Sequence, residues 1–341
     1  MSIFVSGATG FIAQHVVRQL LQQNYRVLGS VRSIEKGKHL KEVVFNNNKN
    51  FEYTVVGDIS KEAVFDPVFE EHKDIEVVLH TASPFRFDVN NIETELLVPA
   101  VNGTRGILES IKRHAAKSVE RVVITSSMAA MGSMGQQMSG CDNILNEESW
   151  NDDTWQSCQQ NPFSGYCASK KFAEKAAWDF YRANQHEVKF KMTAINPVYV
   201  FGPQNYIEPQ KKALNTSSEI INSLLHTKPG DEIPEMVGGQ VDVRDVAKAH
   251  LLAFQRDKLV DKRVLMYDSM FTAQTLLDSI HRQFPELKDK IATGAPGSQD
   301  ALLKQHITID NSKTRDMLDF DFIPMEQDVY DTVSQILRTG L

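Results

Sequence analysis

A turn with two glycines, set between an apolar strand and an amphipathic helix, is the feature that most constrains this fold. Residues 3–6 are strand-like, and apolar residues recur at helical spacing over residues 11–23. Gly7 permits a tight turn, Gly10 lets the backbone approach a pyrophosphate, and the small Ala13 lets the helix pack closely on the strand. The helix N-terminus adds N–H donors and the positive end of a dipole. The spacing is G-x-x-G-x-x-A rather than G-x-G-x-x-G, and an ordinary strand–helix turn is the alternative.

Two cations follow the second strand-like segment, residues 26–31. In dinucleotide-binding folds that use NAD, an acidic residue at this point holds the ribose 2′-hydroxyl. Here Arg32 occupies the position, and Lys36 lies one helical turn further on. A guanidinium can bind a 2′-phosphate through two hydrogen bonds. The pair therefore favours NADP(H) over NAD(H), with two solvated surface cations as the alternative.

Strand-like and helix-like segments alternate through the first part of the chain. Further strands are predicted at residues 53–59, 77–80 and 121–127, and a sixth at 190–195. This alternation predicts an α/β protein with a doubly wound parallel sheet of the Rossmann type and helices on both faces. In such a sheet, ligands bind at the carboxyl ends of the strands.

Polar residues at the strand ends are therefore candidates for ligand contacts. Asp58 could accept a hydrogen bond from an adenine amino group, with Ile59 against the ring, or it could cap a helix over residues 61–72. The two roles are compatible. Ser127 ends the predicted fifth strand, where its hydroxyl either faces the ligand crevice or caps the next turn.

Tyr166 and Lys170 are four residues apart in a helix predicted over residues 165–184, so they share one face of it. An ammonium about 4–5 Å from a phenol favours the phenolate by on the order of 3–4 kcal/mol, which lowers the phenol's pKa by about two units. Such a pair can give a proton to a developing alkoxide. The spacing is common, and an amphipathic helix with a solvated lysine is the alternative.

The second half of the chain predicts a smaller lobe interleaved with the sheet domain. We assign residues 1–195 and about 236–262 to an NADP-binding Rossmann domain, and about 196–235 and 263–341 to a C-terminal substrate-binding lobe. Residues 129–163 have no regular pattern. A loop of this length is typical of a substrate lid.

Composition narrows the functional classes. Of the 341 residues, 41% are apolar and 24% charged, and the net charge is −7 with no long basic run, which disfavours nucleic-acid and membrane partners. No apolar segment approaches the ~20 residues of a membrane span. Cys141, Cys158 and Cys167 lack metal-ligand spacing, so we expect no metal site. With no leader pattern at Met1, we expect a cytoplasmic protein.

Taken in order, these motifs resemble those of the extended short-chain dehydrogenases/reductases. The match spans nearly the whole chain and includes the glycine turn, Ser127, the Tyr166/Lys170 pair and residues 241–247. Within that family the chain is similar to dihydroflavonol 4-reductases, and most of all to fungal NADPH-dependent reductases of methylglyoxal and 3-methylbutanal. Residues 80–85 and 196–204 carry this finer resemblance.

The resemblance implies roles for individual residues in an NADPH-dependent reduction of aldehydes and ketones. Tyr166 would be the general acid, Lys170 would lower its pKa and bind the nicotinamide ribose, and Ser127 would hold the substrate carbonyl oxygen. The residues that would contact NADP(H) are Gly7, Ala8, Thr9, Gly10, Phe11, Ile12, Arg32, Lys36, Asp58, Ile59, Tyr166, Lys170, Pro197, Val200 and Ser217. Phe85 and Met128 would line the substrate pocket, whose shape a methionine beside the serine leaves open.

Three alternatives to a small-carbonyl reductase remain at this level. A sugar-nucleotide epimerase or dehydratase, and a steroid dehydrogenase, can be built on the same fold. A catalytically silent NADPH-sensing protein is the third, because Rossmann folds also host such functions. The physiological carbonyl and the choice between monomer and homodimer stay open.

Overall fold

A computed structural model of the chain describes residues 1–83, 88–207 and 214–340. The strands in this part of the chain are β1 (Ser2–Ser6), β2 (Arg26–Val31), β3 (Phe51–Val55), β4 (Ile75–His80), β5 (Arg121–Thr125), β6 (Ile144–Leu145), β7 (Lys191–Pro197), β8 (Tyr199–Phe201), β9 (Val237–Asp242), β10 (Arg263–Met266), β11 (Ser269–Thr272) and β12 (Thr308–Ile309).

The α-helices are α1 (Phe11–Gln22), α2 (Ile34–His39), α3 (Asp66–Glu71), α4 (Val98–His114), α5 (Met134–Gln137), α6 (Pro162–Asn184), α7 (Thr216–Leu225), α8 (Val243–Gln255), α9 (Ala273–Gln283), α10 (Asp300–Gln305), α11 (Ser312–Leu318) and α12 (Met325–Thr339). Short π-helical segments extend α2 (Leu40–Val44) and precede α4 (Glu93–Leu97). Short 3₁₀ turns occur at Met128–Ala130, Ser157–Gln160, Asp257–Leu259 and Pro285–Leu287.

Seven strands form one parallel sheet in the order β10-β7-β5-β4-β1-β2-β3. Side chains of α1 and α8 build an apolar core on one face of this sheet. Side chains of α3, α4 and α6 build a second core on the other face. The expected doubly wound α/β fold is therefore confirmed, with one more strand at the β7 edge than the six that the sequence predicts.

Three strand and helix boundaries differ from the expected ones because of pairing and backbone conformation. β3 ends at Val55 rather than at residue 59, since its partner β2 ends at Val31 and offers no further ladder positions. β5 ends at Thr125, so Ser127 lies beyond the strand, at the start of the Met128–Ala130 turn. The helix expected over residues 61–72 begins only at Asp66, because Ala63 has a left-handed backbone (φ 56°).

The lobe is built around its own three-stranded sheet, β11-β9-β8. Its apolar core includes Phe201, Phe271 and Val333, contributed by β8, β11 and α12. Arg244 of α8 connects the lobe to the main domain, because it pairs with Asp242 and, at 2.7 Å, with Asp331 of α12. The charged motif at residues 241–247 therefore helps to hold the lobe against the main domain.

The division into domains remains a proposal, and its boundaries shift. β9 was expected in the Rossmann domain but pairs with β8 and β11, so the return to the main domain would follow Asp242. Arg263–Met266 was expected in the lobe but pairs with Ala194–Pro197 at the edge of the main sheet, so the last change of domain would follow Met266. The long segment 129–163 also has more structure than expected: β6 pairs with β12, which joins the segment to the C-terminal part of the chain.

None of the helices among the described residues has the length and apolarity needed to cross a lipid bilayer. Nor do these residues bring three or more His, Cys, Asp or Glu side chains together in a way that could hold a metal ion.

Asp245 of α8 predicts a pH-dependent stability. The side chain is buried and accepts a hydrogen bond from the Ile323 backbone N–H at 2.7 Å. Burial raises the pKa of Asp245 from 3.8 to about 7. The folded chain therefore binds a proton more tightly than the unfolded chain, so stability is lost as pH rises from about 4 through 7. Asp328, whose pKa is also raised by burial, acts in the same direction.

Asparagine at position 245 does not titrate, so Asp245→Asn should remove the part of the stability loss that Asp245 causes as pH rises. The amide oxygen can still accept the hydrogen bond from the Ile323 N–H. We expect Asp245→Asn to be more stable than the unmodified protein at pH 8 by about 2 kcal/mol, and little changed at about pH 4. Denaturant melts at both pH values would measure this. The exposed Asp316→Asn should show no such difference, and an equal gain at both pH values would contradict the titration of Asp245.

Candidate active site

The sheet topology brings the candidate residues to one edge. Because the seven strands are parallel, their carboxyl ends lie on the same side. Gly7 follows β1, Arg32 follows β2, Ser83 follows β4, Ser127 follows β5, and Pro197 ends β7. Residues separated by up to 190 positions in the chain therefore surround one crevice.

The glycine turn has the backbone conformation that the sequence requires of it. Gly7 has a φ of +67°, and a Cβ there would lie 3.0 Å from Ala82. Its N–H donates to Ser30 Oγ at 2.9 Å, a support that the sequence did not suggest. Gly10 is the N-cap of α1 and no side chain caps this helix end. The backbone donors of the first turn are therefore available to an anionic group, which fits the pyrophosphate of a dinucleotide.

The two cations lie where the sequence places them, at the carboxyl end of β2. Arg32 and Lys36 are both exposed. Lys36 also lines a cavity of about 490 Å³, together with Thr9 and Phe11 of the glycine turn. An anion at the ribose end of a dinucleotide would meet both charges.

Asp58 lies near Arg32 but does not cap a helix over residues 61–72. Its Oδ1 accepts hydrogen bonds from the N–H and the hydroxyl of Ser60, at 3.0 and 2.7 Å. Those bonds, and to a smaller extent the charge of Arg32, lower the pKa of Asp58. The carboxylate is exposed, so it remains accessible to an adenine amino group.

Ile59, the second residue of this pair, packs on α4. A Cβ added to Gly103 of α4 would lie 3.1 Å from Ile59 Cδ1, so the glycine makes room for this side chain. Val200 is buried in the main apolar core, as is Ala8 of the glycine turn.

Tyr166 and Ser127 meet at the crevice. α6, which carries Tyr166, begins at Pro162 and is capped by Asn161, whose Oδ1 accepts from the Ser164 N–H at 2.9 Å. Burial raises the pKa of the Tyr166 phenol, and a hydrogen bond with Ser127 opposes that rise. Ser127 Oγ also accepts from the Ala129 N–H at 3.1 Å. The serine and the tyrosine can therefore direct two hydroxyls at one oxygen atom.

Lys170 lies beneath this pair in a buried position. Its Nζ is 5.7 Å from the centroid of the Tyr166 ring and donates to Ser83 Oγ at 2.8 Å. Burial lowers the pKa of Lys170 to about 8. Burial holds the pKa of the Tyr166 phenol above its usual value in this structure, whereas the spacing of the pair predicts a pKa below it.

An apolar cavity of about 310 Å³ opens next to Ser127 and Tyr166. Met128, one of the two expected pocket residues, lines this cavity, and so does Ser217. Phe85, the other expected pocket residue, lies outside the described residues. Further apolar lining comes from Phe163, Val198, Tyr199, Ile220 and Met236. Val198 and Tyr199 belong to the motif at residues 196–204, whereas no motif marks Phe163, Ile220 and Met236, which the tertiary fold brings to the cavity from separate segments.

Cys167, next to the tyrosine, also lines this cavity. Burial raises the pKa of its thiol to about 12. A protonated thiol is a poor nucleophile, so this residue contributes surface rather than reactivity.

The fold and this site define a dinucleotide-dependent oxidoreductase of the Rossmann type. The family model for the NAD dependent epimerase/dehydratase family matches residues 3–265, and the chain belongs to that family.

Relatives with assigned activities match over almost the full length. The chain is 53% identical to the NADPH-dependent methylglyoxal reductase Gre2 of Saccharomyces cerevisiae, over 99% of this chain and 98% of that protein. It is 46% identical to a putative NADPH-dependent methylglyoxal reductase of Candida albicans, over 98% of both chains. The solved structure of the yeast methylglyoxal/isovaleraldehyde reductase Gre2 with NADPH superposes with a TM-score of 0.96 at 53% identity, and covers 100% of this chain and 99% of that one.

The glycine turn generates a prediction with a matched control. Gly7→Ala would strain a left-handed backbone and push a Cβ against Ala82. We expect a loss of about 1–2 kcal/mol in stability and weaker NADPH binding. Gly57→Ala, where a Cβ would meet nothing within 4 Å, should change neither quantity. Thermal melts and NADPH fluorescence titrations would measure both, and equal effects at the two positions would contradict the role of the turn.

Proposed function

We propose that this protein is an NADPH-dependent reductase that converts small aldehydes and ketones, of the methylglyoxal and 3-methylbutanal type, to alcohols. The observation that carries this proposal is the hydrogen-bonded Ser127–Tyr166 pair. It lies above a buried Lys170 and beside an apolar cavity, at the same sheet edge as the glycine turn. The relatives described above, which match along nearly the whole chain, support it.

The residues at the sheet edge fit NADP(H). The backbone from Gly7 to Ile12 would hold the pyrophosphate, Arg32 and Lys36 the 2′-phosphate, and Asp58 and Ile59 the adenine. Lys170 would bind the nicotinamide ribose, and Pro197, Val200 and Ser217 would complete the nicotinamide end. When bound, the reduced nicotinamide supplies the hydride that this reaction needs.

Ser127 and Tyr166 act on the substrate oxygen. As the carbonyl is reduced, negative charge grows on that oxygen, and both hydroxyls donate hydrogen bonds to it. Tyr166 then transfers its proton to the oxygen as the general acid. The raised pKa of the buried phenol keeps this proton in place at neutral pH before the reaction.

Lys170 stabilises the phenolate that Tyr166 becomes after it has given its proton to the substrate. A phenolate in a buried site needs a nearby positive charge, and the ammonium of Lys170 lies 5.7 Å from the ring centroid. With a pKa lowered to about 8, Lys170 is still mostly protonated at neutral pH. Its contribution in this direction of the reaction is therefore to lower the energy of the phenolate rather than to deprotonate the tyrosine in advance.

The lining of the cavity favours a small apolar carbonyl over a sugar nucleotide. Methionine, aromatic and aliphatic side chains surround Ser127 and Tyr166, whereas a nucleotide diphosphate requires cationic partners.

The three free cysteines of the protein, two of them buried, suit a reducing compartment. We therefore place the enzyme in the cytoplasm.

Replacing Tyr166 by phenylalanine tests the role of the acid. The variant loses one hydroxyl and keeps the ring, so we expect kcat to fall by on the order of 100-fold or more while the affinity for NADPH stays unchanged. Absorbance at the NADPH band with 3-methylbutanal as substrate gives kcat. A variant with near-normal kcat would rule out Tyr166 as the proton donor.

Arg32 tests the choice of cofactor. We expect Arg32→Ala to raise the KM for NADPH by about 10-fold and to leave the KM for NADH nearly unchanged, because only NADPH carries the 2′-phosphate. Lys38→Ala, which removes another exposed cation of α2, should affect neither. An equal rise for both cofactors after Arg32→Ala would show that this residue does not recognise the 2′-phosphate.

A further inference from the structure

A buried carboxylate lies one helical turn beyond Lys170. Glu174 follows Lys170 by four residues and Tyr166 by eight, so the three share one face of α6. Its side chain has no exposed surface. It does not line the cavity that contains Ser127 and Tyr166. Any effect of Glu174 on the reaction must therefore pass through other residues.

This carboxylate is hydrogen-bonded on both oxygens. Oε1 accepts from Arg263 Nε at 2.6 Å and from Trp178 Nε1 at 3.1 Å. Oε2 accepts from Ser126 Oγ at 2.5 Å and from Asn196 Nδ2 at 2.7 Å. A buried carboxylate is costly unless it is both paired and hydrogen-bonded, and here both conditions hold. The Glu174 carboxylate is therefore held in one position in the interior.

Asn196 connects this carboxylate to Ser127. Its Nδ2 donates one hydrogen to Glu174 Oε2 and the other to the main-chain oxygen of Ser127, at 3.1 Å. A carboxylate only accepts hydrogen bonds, so it determines which end of the amide faces it. Since Ser126 Oγ bonds to the same oxygen, two consecutive residues after β5 are connected to one carboxylate.

Ser127 needs such support because the strand ladder stops before it. The pairing of β5 with β7 ends at Thr125 and Ile195. Beyond this point the Ser126 N–H still donates to the Ile195 oxygen at 2.8 Å, and the Ala130 N–H donates to the Ser127 oxygen at 3.0 Å. The side-chain hydrogen bonds from Ser126 and Asn196 add to these two backbone bonds. The hydroxyl of Ser127 must nevertheless meet Tyr166 and the substrate oxygen at hydrogen-bond distance, and small misplacements of reacting groups cost large factors in rate.

We propose that Glu174, paired with Arg263, is a positioning residue that sets the place of Ser127 through Asn196 and Ser126. This inference rests on the proposed role of Ser127 in binding the carbonyl oxygen. It assigns a role in turnover to a buried ion pair that contacts neither the substrate cavity nor the glycine turn.

Replacing Glu174 by glutamine is the direct test. The variant keeps the shape of the side chain but puts an NH₂ group where one acceptor oxygen was, so it opposes a donor of Asn196, Ser126 or Arg263. We expect kcat for 3-methylbutanal to fall by on the order of 10-fold to 100-fold. The dissociation constant for NADPH should change by less than about twofold, because the variant leaves the glycine turn and Arg32 untouched.

Trp178→Phe is the matched control. It removes one hydrogen bond to the same carboxylate, on the oxygen that does not face Asn196. We expect this variant to lose thermal stability while it keeps its kcat. Equal losses of kcat in the two variants would mean that Glu174 acts only through general stability, and would overturn the proposal.

A double-mutant cycle with Ser127→Ala separates positioning from an independent effect. If Glu174 acts through Ser127, Glu174→Gln should lower kcat by less than about threefold in the Ser127→Ala background. The same fold-loss in both backgrounds would refute the proposal. A normal kcat in Glu174→Gln, alongside a large loss in Ser127→Ala, would also refute it and leave the proposed function intact. A normal kcat in Ser127→Ala would overturn the role of Ser127, and the inference with it.

Asn196→Ala is the second variant, to be used if Glu174→Gln does not fold. It leaves the Glu174–Arg263 pair and the Ser126 hydrogen bond in place. It removes the two hydrogen bonds of the Asn196 amide, to Glu174 Oε2 and to the Ser127 main-chain oxygen. The double-mutant cycle with Ser127→Ala then applies to Asn196→Ala. A loss of kcat below about threefold in the Ser127→Ala background would support the proposal. Additive losses of kcat would contradict the proposal.

Discussion

The parallel pairing of seven strands is the constraint on which the rest of this structure depends. Parallel strands place all their carboxyl ends at one edge, and helices on both faces bury the rest of each strand. Groups that must contact a ligand can therefore gather only at that edge. The glycine turn, the two cations and Ser127 each follow a different strand, and the sheet brings them together without any local interaction among them.

Two buried charges of α6, Lys170 and Glu174, differ in their surroundings and therefore in the role that we propose for each. Lys170 is buried next to the phenol, and burial lowers its pKa to about 8. One turn further along α6, Glu174 is fully paired with Arg263 and hydrogen-bonded to Ser126 and Asn196. A charge that burial destabilises can take part in chemistry, whereas a charge with every partner in place holds its surroundings rigid.

Some elements of this structure follow from local properties of the sequence, and others depend on distant pairing partners. The strand–turn–helix at Gly7 and the helix that carries Tyr166 follow from periodicity and turn chemistry, which are local properties. The end of β3 at Val55 and the place of Arg263–Met266 in the main sheet depend on which strand lies alongside. Pairing partners are distant in sequence, so no local pattern reveals these boundaries.

The sequence by itself determined the fold class, the glycine turn, the two cations of the cofactor end and the three residues proposed for catalysis. Each of these depends on a residue type at a fixed spacing or at a strand end. Only the tertiary structure decided that burial raises the pKa of Tyr166, that Tyr199 and Met236 line the apolar cavity beside it, and that Glu174 connects to Ser127 through Asn196. These properties arise from desolvation and from contacts between segments far apart in the chain, and neither is present until the chain has folded.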